Sequence, residues 1–261
     1  MDFEVKSRYG FDDLVEIMKI LRSPDGCPWD RVQTHQSIRQ DFIEETYEAI
    51  EAIDTNDTAL LREELGDVLL QVVFHSQMEC EQGSFDVYDV CDEVCKKLIV
   101  RHPHVFSDTI ADTPDEVLKN WDIIKMQTKS QDTQSQVLES VSKALPALMY
   151  SQKVQRKASK VGFDFENTND ALKKVREELS ELESAIDNND EDNMSEELGD
   201  LLFSVVNVAR FIKADSEKAL FDATRKFVDR FSKVEALCNE RSIDMAEAPI
   251  SVLDSLWDEV K

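Results

Sequence analysis

Glu44-Glu45-Thr46-Tyr47-Glu48 and Glu63-Glu64-Leu65-Gly66-Asp67 decide how this chain is read, because both return downstream. They reappear as Glu177-Glu178-Leu179-Ser180-Glu181 and Glu196-Glu197-Leu198-Gly199-Asp200. Glu48 and Glu64 lie 16 positions apart, as do Glu181 and Glu197, and the second set follows the first by 133. Each copy then carries Lys-x-x-x-Arg (Lys97 and Arg101; Lys226 and Arg230) and closes on Trp-x-x-x-Lys (Trp121 and Lys125; Trp257 and Lys261). Upstream, Lys19-x-x-Arg22 and Lys153-x-x-Arg156 precede the aromatic–acid elements Pro28-Trp29-Asp30 and Gly162-Phe163-Asp164-Phe165. A repeat of this length implies two homologous domains, expected over residues 1–127 and 137–261, with residues 128–136 as a polar linker.

The composition fits helices. Gly and Pro number 6 each in 261 residues, under half the usual combined share of about 12%. So few turn formers argue for long helices and against an all-β or dinucleotide-binding α/β fold. The 41% hydrophobic content is enough for a buried core. A net charge of −25 repels phosphate backbones and anionic lipids, so nucleic-acid and membrane-surface partners are not expected. The start, Met1-Asp2-Phe3-Glu4, has no basic and apolar secretory pattern, and no run approaches the roughly 18 apolar residues of a membrane helix. Five scattered cysteines fit a reducing cytoplasm. Cys91 and Cys95, followed by His102 and His104, match none of the usual zinc spacings.

At about 100° per residue, Glu48 falls about 60° to one side of Glu45, while Phe42, Ile43, Ala49, Ile50 and Ile53 fill the other. Glu64 and Asp67 stand in the same relation to Leu61, Leu65, Val68, Leu69 and Val72. The second copy repeats both wheels around Glu178, Glu181, Glu197 and Asp200. All four acidic pairs therefore border an apolar stripe, and helices packed stripe to stripe bring them together. Converging carboxylates in a partly dry groove repel unless a cation sits among them. Oxygen-only ligands select hard cations, so Mg²⁺ or Mn²⁺ is expected. A di-iron site is not, because none of the four histidines follows a Glu by three. Gly66 and Gly199, mid-helix between the acids at a cost of roughly 1 kcal/mol each, suggest a close backbone approach. Lys97 with Arg101, and Lys226 with Arg230, share a helix face and suit a polyphosphate; Trp257 and Lys261 add a stacking face and one more cation.

The two acidic sets, Arg101-His102-Pro103-His104-Val105-Phe106, Val161-Gly162-Phe163-Asp164 and the closing Trp257-Asp258-Glu259-Val260-Lys261 resemble the MazG nucleoside triphosphate pyrophosphohydrolases over nearly the whole chain. The resemblance implies an all-α fold of two tandem four-helix-bundle modules, a homodimer, and hydrolysis of a nucleoside triphosphate to monophosphate and pyrophosphate with Mg²⁺. It further implies that Glu178, Glu181, Glu197 and Asp200 hold the metals, with Glu45, Glu48, Glu64 and Asp67 as their counterparts. Lys174, Lys226, Arg230, Trp257 and Lys261 would contact the nucleotide, and Lys97, Arg101, Trp121 and Lys125 are the matching positions of the first copy.

One position breaks the match. Lys174, four before Glu178, corresponds to Asp41, four before Glu45. The second domain is accordingly expected to be the main hydrolase. A rival reading is an all-helical protein that senses nucleotide, or acts as a scaffold, without turnover.

Overall fold

A short reversal, two residues long in one unit and three in the other, sets the architecture. In the computed structural model, which describes residues 3–107, 109, 111, 113–128 and 133–261, helices α1 (Phe11–Arg22), α2 (Arg39–Thr55) and α3 (Thr58–Gln82) come first. Between 114 and 128 the side chains of residues 115, 118, 119, 122, 125, 127 and 128 are outside that description. Helix α2 ends on Asn56 at φ 56°, a left-handed conformation that Asn tolerates as a C-cap. Asp57 caps α3 at once, its carboxylate accepting from the Ala59 and Leu60 amides at 3.0 Å. The chain folds back on itself, and α2 packs antiparallel on α3. Asp86 caps α4 (Val87–Arg101) in the same manner. The short α5 (Pro103–Phe106) and then α6 (Pro114–Thr128) follow.

The second unit repeats the device. After α7 (Gln134–Glu139) and α8 (Ala147–Ser159), helix α9 (Thr168–Asp187) runs into Asn188 and Asn189, the latter at φ 52°. Asp190 then caps α10 (Glu191–Phe211). Helices α11 (Ser216–Glu240) and α12 (Ile250–Glu259) close the chain. The described residues form helices and no strand, and contacts divide the chain into Met1–Lys125 and Met126–Lys261. Among the described residues no helix is long and apolar enough to cross a membrane.

Each unit has its own core. In the first, Met18, Ile38, Val73, Phe74, Met78 and Val87 are buried together. Arg22 lies under this layer, pairing with Glu81 through two N–H groups at 2.8 Å and donating to the Asp30 carbonyl at 2.6 Å, so it ties the loop before α2 to α3. In the second, Val234, Cys238 and Leu256 join α11 to α12. Buried Gln152 donates to the Ala214 carbonyl and accepts from Ser216, while Gln155 donates to the Phe203 carbonyl, which locks α8 to the α10–α11 corner.

Packing departs from the sequence expectation in two respects. Ala49, Ala52, Ala171 and Ala185 are buried, yet much of the stripe bordering the acids is uncovered: Ile50, Ile53, Leu65, Ile186, Leu198 and Leu202 are each about half exposed. Residues 91–100 of α4 and 218–229 of α11 are exposed on every side, including Val94, Leu98, Phe221, Phe227 and Val228. The close approach expected at Gly66 and Gly199 is likewise not made among the described residues, since a Cβ added at either would meet none of their atoms within 4 Å. Both glycines lie on this uncovered side.

Candidate functional site

The recurring spacing of 16 follows from the turn. Glu48 and Glu64 each lie 8 residues from left-handed Asn56, and Glu45 and Asp67 each lie 11 away. Residues equidistant from the bend of an antiparallel hairpin stand at the same level, so both pairs face each other across α2 and α3. Glu181, Glu197, Glu178 and Asp200 have the same relation to Asn189. Neither asparagine stood out in the sequence, although the symmetry of the acids about them could have marked the bend.

In the first unit, carboxylate oxygens of Glu45, Glu48 and Glu64 lie within 4.8 Å of one another. In the second, those of Glu178, Glu197 and Asp200 do so. The fourth members remain close enough to act on the rest. Asp67 pushes the carboxyls of Glu45 and Glu64 upward, after burial, which is the largest influence on both. Glu181 shares a hydrogen bond with Glu178 that holds its own carboxyl above the usual range. Glu197 is raised by burial and then by Glu178 and Asp200. Glu64 and Glu178 are the buried members, 7% and 5% exposed. Three mutually repelling carboxylates with only oxygen donors, one of them withdrawn from water, fit a hard divalent cation in each unit.

The cations divide into two groups. Lys174 Nζ donates to Glu178 at 2.6 Å and to Glu177 at 2.7 Å, within the second carboxylate cluster. Its counterpart Asp41 instead adds to the repulsion on Glu45. The guanidinium of Arg230 lies over the Trp257 ring at 5.9 Å, and that of Arg101 over Trp121 at 5.0 Å. Phe227 packs on Trp257 with ring centroids 5.1 Å apart, and Lys261 pairs with Asp258 at 2.7 Å. Lys97 and Lys226 are exposed on the free stretches of α4 and α11. The side chain of Lys125 and linker residues 129–132 lie outside the described residues.

Some of the site's framework is not duplicated. Arg210, rather than Arg156, clamps the aromatic–acid element of the second unit by pairing with Asp164 through both terminal nitrogens, one at 2.9 Å. In the first unit, His35 bridges Glu79 at 2.7 Å and His75 at 2.6 Å, and the two rings are nearly parallel, 4° apart. The positions 133 further on are Thr168, Ile212 and Val208, so this ring chain belongs to the first unit alone.

The hairpins that carry the acids coincide with two matches to one family model. The model of the MazG nucleotide pyrophosphohydrolase domain matches residues 33–106 and 166–236. The chain is 47% identical over 251 residues to the nucleoside triphosphate pyrophosphohydrolase/pyrophosphatase MazG of Thermotoga maritima, covering 96% of this chain and 95% of that protein. It is 42% identical over 253 residues to the nucleoside triphosphate pyrophosphohydrolase of Escherichia coli (strain K12), covering 96% of each. It is 45% identical over 252 residues to the protein YabN of Bacillus subtilis, covering 96% of this chain and 51% of that one.

Proposed function

This chain belongs to the MazG nucleotide pyrophosphohydrolase family, and from that premise we propose that it hydrolyses nucleoside triphosphates to nucleoside monophosphates and pyrophosphate. The observation that carries the reading is the pair of carboxylate clusters, each an all-oxygen donor set at the same level of an antiparallel hairpin. Glu178, Glu181, Glu197 and Asp200 would hold Mg²⁺, or Mn²⁺ in its place, with Glu45, Glu48, Glu64 and Asp67 the matching set. Such ions, when bound, neutralise a triphosphate and lower the pKa of a water. A carboxylate not used as a ligand accepts the proton of the attacking water. Attack at the α-phosphorus forms one P–O bond and breaks the bond to the bridging oxygen, which leaves with pyrophosphate.

Lys174, Lys226, Arg230, Trp257 and Lys261 complete the second site, and Lys97, Arg101, Trp121 and Lys125 are their counterparts. The second unit, spanning 137–261 beyond a linker at 128–136, is the main hydrolase, because Lys174 supplies a cation where the first unit, 1–127, has Asp41. A homodimer in the cytoplasm fits the uncovered faces and the five free cysteines. Half-exposed apolar residues over several turns of α4 and α11 exceed what a monomer usually leaves to water. Phosphorus NMR of a triphosphate incubated with the protein and Mg²⁺ tests the reaction. Pyrophosphate and monophosphate support it; orthophosphate and diphosphate contradict it, and bound but intact nucleotide favours a sensor.

A further inference from the structure

The two clusters differ at one position that governs how each takes up a metal, and the inference rests on the metal reading above. Lys174 stands one helical turn before Glu178 and donates to it at 2.6 Å, while a second carboxylate, Glu177, takes the same ammonium at 2.7 Å. Glu178 is the buried member of its cluster. A divalent ion on its carboxylate would lie roughly 2–2.6 Å from the oxygen, close enough to the ammonium for the two cations to repel strongly. The first unit has the opposite arrangement. Asp41 occupies the matching position and adds its charge to those of Asp67, Glu48 and Glu44 beside Glu45.

We propose that Lys174 is a resident counter-ion that makes divalent-metal uptake by the second unit depend on nucleotide, whereas the first unit takes up metal unaided. In the nucleotide-free chain the ammonium already satisfies Glu178, so it must give up that carboxylate before a metal can use it. A triphosphate offers the displaced ammonium another anion at the same place. Lys174 thus moves from carboxylate to phosphate as the site fills. Linkage makes the effect reciprocal: nucleotide raises metal affinity by the factor by which metal raises nucleotide affinity. The carboxylate-only cluster of the first unit has no such ammonium to displace.

Mn²⁺ titration of the full chain, with free ion followed by EPR, tests this. Glu178→Gln with Glu197→Gln silences the second unit, and Glu45→Gln with Glu64→Gln the first. Without nucleotide, the first unit binds Mn²⁺ more tightly. An α,β-methylene triphosphate analogue tightens the second unit by about tenfold and the first by far less, in line with ordinary coupling between sites. Lys174→Met raises nucleotide-free affinity of the second unit about fivefold, the upper range for one half-exposed ion pair, and removes most of the gain from the analogue. Lys174→Arg behaves as wild type, and Asp41→Lys weakens the first unit while making it nucleotide-dependent. Mn²⁺ binding at both units with Lys174→Met indistinguishable from wild type overturns the role of Lys174 alone. Mn²⁺ binding that ignores all four Gln replacements overturns the metal reading and the proposal with it.

Discussion

Glu64 and Glu178 show how one residue type takes different work from its surroundings. Each wheel places its two acids alike at the stripe's border, yet in the hairpin Glu64 is buried while Glu48 is exposed. The carboxyl of Glu64 is pushed above its ordinary value by burial and then by Glu48, Asp67 and Glu45. Between the unfolded value near 4.5 and the raised folded value, the native state binds more protons than the unfolded one. Stability from this group is therefore lost as pH rises through that window. Chelator-treated Glu64→Gln should melt above wild type, by a margin that grows as pH rises from 4.5, and added Mg²⁺ should reverse the order. A margin independent of pH in thermal melts would count against the crowding. Spacing and residue type in the sequence pointed to the convergence of Glu45, Glu48 and Glu64 and of Glu178, Glu197 and Asp200, whereas nothing there set Asp67 and Glu181 apart from them. That Lys174 already holds Glu178 was not legible there, because an i, i+4 contact depends on which rotamer the neighbouring helix leaves open.

At the scale of elements, the α2–α3 and α9–α10 hairpins do the positioning, and each depends on one left-handed asparagine. Asn189→Ala should lower stability by about 1 kcal/mol, because a Cβ-bearing residue lacking the Asn side chain resists that conformation, while Asn189→Gly should cost little. Urea unfolding of the two variants distinguishes a backbone requirement from a lost contact: equal losses would indicate the latter. The helices were legible from the apolar periodicity and the scarcity of Gly and Pro. Their coverage was not, since a stripe records that a face is apolar and not what covers it. The exposed side of α10 makes this testable. Leu202, 51% exposed, should be needed for the proposed self-association, so the wild type should sediment as a dimer and Leu202→Glu as a monomer with helical content unchanged. A dimer that persists unchanged would show that another face carries the contact.

For the whole molecule, the net charge of −25 first reads as hostile to any phosphate ligand. Eight of the 55 acids are the metal ligands proposed for the two hairpins, and two divalent ions per hairpin would offset their charge. The acidity then excludes only phosphate bound without metal. The repeat was visible in sequence because helix-internal spacings persist; the framework around it was less so, as Arg22 and Arg210 brace the two units through unrelated partners. The same divergence separates Asp41 from Lys174 and underlies the claim that the second unit performs most of the turnover. Pyrophosphate release from a panel of nucleoside triphosphates, compared for wild type, Glu45→Gln and Glu178→Gln in Mg²⁺, tests that claim most directly. Glu178→Gln should lose about a hundredfold or more, as when a group supporting transition-state charge is removed, and Glu45→Gln only a small part of the rate. Equal losses in the two variants, or full activity in Glu178→Gln, would contradict it.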